Sequence, residues 1–271
     1  MRLPGAFQDW FARQGWAPHP HQLALLEASG DALLIAPTGG GKTLAGFLPS
    51  LVELARVAGP DGYLENKEGL GLHTLYVSPL KALTADIARN LARPVADLGL
   101  RVRIEDRTGD TGAAQRRRQR VDPPEVLLTT PESLALMLSY PEAPAIFGGL
   151  RRVVLDELHA LAESKRGDQL MLGLARLRRL APGLRVTGLS ATVEDPAALA
   201  GFMAGAEPVQ IVLADPGPDP DIAMLPTARP APWAGAGGHY AIPEVLAAVK
   251  AARTTIIFIN TRAQAELFFQ A

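Results

Sequence analysis

Short apolar runs alternate with longer amphipathic stretches along this chain, and this alternation constrains its fold more than any other feature. Leu33–Ile35 and Val153–Leu155 are apolar at every position. Strands of a parallel sheet covered by helices need such runs, because neither face meets water. The predicted strands are Ala32–Ala36, His73–Ser78, Arg101–Glu105, Glu125–Thr129, Arg152–Asp156 and Arg185–Ser190. We therefore predict an α/β fold with a doubly wound, mostly parallel sheet.

The pattern changes between Pro208 and Pro243, where proline and glycine accumulate and argue against regular helix. The segments predicted to follow are a helix over Ile242–Ala252, a strand over Thr254–Asn260 and a helix beginning near Arg262. These features predict a complete first domain over residues 1–206, and a linker with the start of a second domain over residues 207–271. The last predicted helix has an apolar face with nothing to cover it, which predicts a fragment of a longer protein.

Composition limits the functional classes. An apolar fraction of 48% with 20% charged residues is typical of a soluble globular protein, and no apolar run is long enough to span a bilayer, so we expect a cytoplasmic protein without a membrane partner. The chain has no cysteine, which excludes disulfides and cysteine-ligated metals. The net charge of -1 provides no general attraction to polyanions, so nucleic-acid binding would depend on local basic groups and backbone amides.

The strongest local motif follows the first predicted strand and precedes an amphipathic helix. It consists of Thr38, Gly39, Gly40, Gly41, Lys42 and Thr43. Glycines let backbone N–H groups surround phosphates, Lys42 reaches the β and γ phosphates, and the Thr43 hydroxyl binds Mg²⁺. Ala36 stands where the general phosphate-loop pattern has its first glycine. The motif predicts a nucleotide-binding loop; the alternative is a glycine-rich connection with an exposed lysine.

Two adjacent carboxylates, Asp156 and Glu157, end the predicted strand Arg152–Asp156. In a sheet that also carries a phosphate loop, Asp156 is predicted to hold Mg²⁺ and Glu157 to activate the water that attacks the γ phosphate. Further along, Ser190 and Thr192 end another apolar strand, where small hydroxyl residues can relay the nucleotide state. Taken alone, the carboxylate pair is equally typical of a solvated strand end, and Ser190 to Thr192 of a turn or helix cap.

In this order and spacing, the three motifs resemble motifs I, II and III of superfamily 2 helicases, which implies a RecA-like fold that binds Mg-ATP. Gln22 resembles the glutamine that recognises adenine, and His159 makes the second motif a DEXH box that couples to Ser190 and Thr192. Four further segments resemble the family's nucleic-acid motifs. The resemblance implies that the residues contacting one strand are Ser78, Pro79, Lys81, Thr108, Gly109, Asp110, Thr129, Thr130, Pro131, Asn260 and Arg262.

The sequence around His159 and Ser164–Gly167 is most similar to the Lhr group, and Ala36–Leu48 to its bacterial ligase-associated members. This resemblance implies 3′ to 5′ movement on single-stranded DNA, or on a duplex with a single-stranded tail, and a role in DNA repair with a DNA ligase and a nuclease encoded nearby. The family's motifs V and VI, with their arginine fingers, are not in these 271 residues. We therefore expect the chain by itself to bind Mg-ATP and hydrolyse it slowly.

Several interpretations stay open at this stage. The arginines between Arg116 and Arg120 either contact DNA phosphates or form a solvated helix face. Trp10, Phe11 and Trp16 are expected to pack the first helix, with Phe11 or Trp16 flanking adenine. The rival functions are a superfamily 2 RNA helicase and a nucleotide-dependent nucleic-acid binding module without catalysis.

Overall fold

The computed structural model describes residues 3–57, 71–205, 207–217, 219, 221–230, 232–233 and 238–270. They form two compact units, which divide after Gly217.

The first unit is built on a parallel sheet of seven strands. They are β1 (Ala32–Ile35), β2 (Thr74–Val77), β3 (Ile104–Arg107), β4 (Val126–Thr129), β5 (Arg152–Leu155), β6 (Arg185–Ser190) and β7 (Gln210–Leu213). Their order across the sheet is β3-β4-β2-β5-β6-β1-β7. All pairs are parallel, so the carboxyl ends of the strands share one edge of the sheet. The predicted doubly wound α/β fold is confirmed.

Helices connect the strands and cover both faces of the sheet. They are α1 (Gly5–Arg13), α2 (Pro20–Glu27), α3 (Lys42–Val57), α4 (Lys81–Asp97), α5 (Ala113–Val121), α6 (Pro131–Leu138), α7 (Ala143–Phe147), α8 (Leu158–Ala162), α9 (Lys165–Leu180) and α10 (Pro196–Met203). Side-chain caps fix several of the starts: Thr130, Ser164 and Asp195 each accept a hydrogen bond from a backbone N–H three residues later. None of the described helices is long and apolar enough to cross a membrane.

Two strands differ from the prediction. The first is β3, which begins at Ile104 rather than Arg101, because the backbone N–H of Arg103 donates to the Glu125 carboxylate instead of to a strand. The second is β7, which lies in the proline-rich stretch and was not predicted. Its residues Ile211 to Leu213 are an apolar run, but the surrounding prolines masked it in the sequence, and only Val212 of the strand is buried. It forms the sheet edge by pairing with β1.

A largely buried ionic cluster lies at the amino-terminal ends of the strands, opposite the carboxyl ends. Glu53 of α3 bonds to Arg152 at 2.7 Å and Arg185 at 3.0 Å, and lies 3.4 Å from the His73 ring. Burial by itself would raise the pKa of Glu53, but the hydrogen bonds from His73 and Arg152 outweigh it and lower the pKa to about 2. The cluster therefore ties the end of the phosphate-loop helix to three strands.

The second unit contains a short 3₁₀ turn (His239–Ala241) and two helices, α11 (Ile242–Ala251) and α12 (Arg262–Gln270). Both helices match the prediction. The predicted strand Thr254–Asn260 is wrong, because the described residues of this unit provide no neighbouring strand to accept its hydrogen bonds. Ile256 and Phe258 remain 74% and 91% exposed.

Candidate nucleotide and nucleic-acid site

The predicted phosphate loop joins β1 to the first turn of α3. Gly39 and Gly41 have φ angles of +83° and +71°, in the left-handed region that residues with a Cβ atom avoid. A Cβ atom on Gly41 would also lie 2.8 Å from Nε2 of Gln22. Lys42 is the first residue of α3, and its Nζ donates a 3.1 Å hydrogen bond to the carbonyl of Ala36. The lysine therefore lies along the loop that it is predicted to serve.

The N-terminal turn of α2 fixes the loop from outside. Gln22 is 2% exposed; its Oε1 accepts from the backbone N–H of His19 at 2.9 Å, and its Nε2 donates to the carbonyl of Gly41 at 3.4 Å. His21 bonds through Nε2 to the carbonyl of Gly40 at 2.8 Å, which requires a proton on that nitrogen. Burial lowers the pKa of His21, with a smaller contribution from His19, while the bond to Gly40 opposes the shift. The sequence did not predict this role for His21.

Asp156 and Glu157 follow β5 at the carboxyl edge of the sheet. Asp156 is 6% exposed; its Oδ2 accepts a 2.5 Å hydrogen bond from the Tyr76 hydroxyl, and its Oδ1 accepts from the N–H of Glu157 at 2.9 Å. Glu157 has φ +48° and ψ +44°, a left-handed conformation that costs a residue with a side chain about 1–2 kcal/mol. Tyr76 thus orients Asp156 from beneath, a contact that sequence reasoning missed.

His159 connects Glu157 to the end of β6. Its Nε2 lies 3.3 Å from Glu157 Oε2, and its Nδ1 lies 3.0 Å from the Ser190 hydroxyl and 3.4 Å from the N–H of Ala191. With a proton on Nε2 the ring donates toward Glu157 and its Nδ1 accepts from the N–H of Ala191, while the Ser190 hydroxyl beside it donates to the carbonyl of Ala191 at 2.9 Å. Thr192 is exposed beyond the strand. The structure thus brings His159 and Ser190 of the predicted coupling set together beside the predicted catalytic Glu157, whereas Thr192 forms no hydrogen bond with them in the described part of the chain.

These elements enclose a cleft of about 720 Å³. The predicted residues that line it are Gln22, Thr38, Gly39, Gly41, Lys42, Thr43, Asp156 and Glu157. Trp10 and Phe11 are buried, as their predicted packing role requires, and also line the cleft beside Trp16, which is 54% exposed. The facing wall comes from α4 and includes Asn90 and Arg93, which were not predicted because no local motif marks them.

The donor set fits Mg²⁺ bound together with a nucleotide. Thr43 and Asp156 both line the cleft and provide oxygen ligands, which Mg²⁺ prefers. The described residues contain no cluster of three His, Asp or Glu side chains suited to a metal ion. A divalent ion would therefore be held by these two side chains together with phosphate oxygens and water.

The predicted nucleic-acid residues of the first unit cluster at the same edge of the sheet, after β2, β3 and β4. The N–H of Ser78 bonds to the carbonyl of Thr129 at 3.0 Å, and Lys81 bonds to Asp110 at 2.6 Å. Arg166 of α9 links this edge further by donating to Glu132 and, at 2.8 Å, to the carbonyl of Pro79. Ser78 and Thr129 are fully buried and Thr130 is 8% exposed, so of these residues Lys81 is the most accessible to a ligand.

The remaining residues of the predicted nucleic-acid set make local contacts or are exposed. Thr108 caps its own turn, with its Oγ1 accepting from the N–H of Asp110 at 3.3 Å, and Gly109 is exposed between them. Pro131 begins α6. Asn260 and Arg262 belong to the second unit, where both are exposed. Contact of these residues with nucleic acid stays a prediction.

A phosphate loop and a carboxylate pair at the carboxyl edge of a parallel, helix-covered sheet define a RecA-like nucleotide-binding unit. Residues 20–199 match the DEAD/DEAH box helicase family model, and the chain belongs to that family. This agrees with the resemblance that the motifs indicated.

Among curated proteins, the chain is 38% identical over 298 residues to Lhr helicase/uracil glycosylase of Escherichia coli (strain K12), covering 97% of this chain and 19% of the relative. It is 37% identical over 211 residues to the ATP-dependent helicase Lhr-Core of Methanocaldococcus jannaschii, covering 73% of this chain and 24% of that protein. The chain thus spans about a fifth to a quarter of the length of these relatives.

Among solved structures, the chain is similar to Mycobacterium smegmatis helicase Lhr bound to ssDNA and AMP-PNP. The TM-score is 0.76 at 35% identity, over 99% of this chain and 35% of that one. The DUF1998 helicase MrfA has a TM-score of 0.78 at 21% identity, over 99% of this chain and 41% of that one, which shows a shared fold.

Proposed function

We propose that this chain is the ATP-binding motor unit of an ATP-dependent DNA helicase of the Lhr type. The observation that carries the proposal is the cleft that Lys42 and Thr43 share with Asp156 and Glu157. Groups that neutralise phosphate charge thereby face groups that hold a metal and activate water, which is the pairing that phosphoryl transfer requires.

Each side chain has a distinct proposed role in ATP hydrolysis. Lys42 leaves the Ala36 carbonyl for the β and γ phosphates, to which it contributes positive charge. Thr43 and Asp156 hold Mg²⁺, which when bound neutralises charge on the phosphates. Glu157 accepts a proton from the attacking water, and Gln22 at the cleft wall recognises the adenine.

We propose that His159 transmits the state of the nucleotide to the rest of the motor. Its ring joins Glu157 to Ser190, so a change at the γ phosphate reaches the end of β6 through two polar contacts. The predicted nucleic-acid residues follow other strands of the same sheet. A shift of residues at the end of one β-strand can therefore change how residues at the end of a neighbouring β-strand bind the nucleic acid.

The proposed substrate is single-stranded DNA or a duplex with a single-stranded tail. The basic and backbone groups near Lys81, Thr130 and Arg166 support it, as does the similarity to Mycobacterium smegmatis helicase Lhr, which was solved bound to ssDNA and AMP-PNP. Movement from 3′ to 5′, a role in DNA repair, and association with a ligase and a nuclease are further parts of the proposal. They rest on resemblance to ligase-associated helicases.

The test is binding of a fluorescent ATP analogue by wild-type protein, Lys42→Ala and, as a matched control, Lys250→Ala. Lys250 is an exposed lysine of α11 in the second unit. We expect Lys42→Ala to lose at least about tenfold in affinity, which corresponds to about 1.4 kcal/mol, and Lys250→Ala to match wild type. Equal binding by all three proteins would contradict the assigned nucleotide site.

A second arm addresses the nucleic acid. DNA and RNA oligonucleotides of one sequence are compared by fluorescence anisotropy with the ATP analogue present, and binding is also compared on duplexes with 3′ or 5′ tails. We expect tighter binding to DNA and to duplexes with 3′ tails. Preference for RNA would favour an RNA helicase, because the 2′-hydroxyl is the group that distinguishes the two polymers.

A further inference from the structure

Helix α5 and its neighbours carry arginines that neither the nucleotide cleft nor the predicted DNA contacts use. We define the arginine patch as Arg107, Arg116, Arg117, Arg120 and Tyr140. Arg107 is the last residue of β3, three arginines lie on α5, and Tyr140 follows α6.

The patch is an ordered arrangement of side chains. Arg107 is 3% exposed; its Nη1 donates to the carbonyl of Arg116 at 2.8 Å and its Nη2 to the hydroxyl of Tyr140 at 3.3 Å. The Arg120 guanidinium stacks 3.9 Å from the centre of the Tyr140 ring. Nε of Arg120 is buried and has no hydrogen-bond partner. Arg117 is exposed on the same helix.

The carboxylates nearby are already engaged elsewhere. Glu105 binds Arg118 and Gln119, Asp106 accepts from Thr111, Asp110 binds Lys81, and Asp122 and Glu125 bind Arg103. In the described part of the chain, no ion pair joins the four patch arginines to a carboxylate. Burial lowers the pKa of Arg107, and the nearby charges of Arg120 and Arg116 lower it further, while Tyr140 opposes this. An anion would relieve this repulsion.

The position of the patch indicates which anion. Helix α5 starts at Ala113, directly after the turn that contains Thr108, Gly109 and Asp110, so the patch extends outward from the predicted DNA contacts. Guanidinium groups match phosphate oxygens with paired hydrogen bonds, and a planar group stacked on tyrosine is already oriented for them. We propose that Arg116, Arg117 and Arg120 of the arginine patch bind backbone phosphates of the same DNA strand, beyond those held by the family motifs, while Tyr140 and the buried Arg107 hold them in place. This inference rests on the proposed function.

The test compares Arg116→Ala/Arg117→Ala with Arg176→Ala/Arg179→Ala. The control removes the same charge from two exposed arginines near the end of α9, at the opposite edge of the sheet. Binding to oligo-dT of about 4 and about 16 nucleotides, the ends of a common range of single-strand site sizes, is measured by anisotropy over a series of salt concentrations. Thermal unfolding of both variants checks that they fold.

On the longer oligonucleotide, the patch variant should bind about tenfold or more weakly at low salt. The slope of log affinity against log salt should flatten by up to about 1.4, since each lost single-strand phosphate contact removes about 0.7. On the short oligonucleotide, patch and control variants should behave alike. Equal affinities and equal salt slopes for the patch and control variants on the longer DNA would overturn the proposed role of the arginine patch and leave the proposed function standing. Absence of DNA binding by wild-type protein would overturn the proposed function with it.

Discussion

Replacing Tyr76 by phenylalanine tests how Asp156 is oriented for Mg-nucleotide. Tyr76 is fully buried, its ring centre lies 5.5 Å from that of Phe47, and its hydroxyl donates to Asp156 at 2.5 Å. Tyr76→Phe keeps the ring and removes only that donor. Burial and the charge of Asp156 raise the pKa of Tyr76, so the hydroxyl stays protonated, and we expect the effect of the variant not to change with pH near neutrality.

The expected loss of Mg²⁺ affinity depends on the strength of the Tyr76 hydrogen bond and on the contacts that Asp156 retains. A hydrogen bond to a charged group contributes about 1.5–3 kcal/mol, and Asp156 keeps its second bond from the N–H of Glu157. We therefore take the lower end, about 1.5 kcal/mol, which corresponds to roughly tenfold in an equilibrium constant. The Mg²⁺ concentration for half-maximal binding of a fluorescent ATP analogue should rise roughly tenfold.

The assay is a Mg²⁺ titration at fixed analogue concentration. Tyr140→Phe is the matched control, because it removes the same atom outside the cleft and should leave the titration unchanged. Tighter Mg²⁺ binding by Tyr76→Phe would refute the reasoning, since it would mean that the hydroxyl mainly withdraws charge from Asp156 rather than orienting it. An unchanged midpoint would show that Asp156 is positioned without Tyr76.

Two further predictions concern the stability of the first unit, both measured by urea unfolding. Gly41→Ala and Gly39→Ala should each lower the free energy of unfolding by about 1–2 kcal/mol through left-handed strain. Gly41→Ala should cost about 1 kcal/mol more, because its Cβ displaces Gln22, whereas that of Gly39 meets nothing within 4 Å. Equal losses would contradict that contact. Glu53→Gln should destabilise the protein by about 3 kcal/mol at neutral pH, because it leaves buried arginine charge unpaired. The pKa of Glu53 is lowered from 4.5 to about 2, so its contribution is present above pH 4.5 and lost as the pH falls toward 2. Wild type and variant should therefore converge in acid; a constant difference would exclude ionisation of Glu53 as the cause.

The sequence by itself determined the elements whose patterns are local. Continuous apolar runs such as Val153–Leu155 predicted buried parallel strands, and the glycines before Lys42 predicted a phosphate-binding loop. Because the carboxyl ends of parallel strands meet at one edge, the positions of Asp156 and Ser190 in the chain already predicted that they lie near that loop. The resemblance to the superfamily 2 helicase motifs added the prediction that the chain belongs to an ATP-dependent helicase.

Tertiary structure decided the features that depend on partners distant in the chain. Tyr76 appears in the sequence as one more residue of an apolar strand, and only the pairing of β2 with β5 brings its hydroxyl to Asp156. The strand β7 exists because β1 has a free edge, whereas Thr254–Asn260 has the apolar pattern of a strand but no described neighbour. Strand pairing and buried polar contacts join residues far apart in sequence, so a local pattern predicts which segments are suited to a sheet while the assembled fold decides which ones join it.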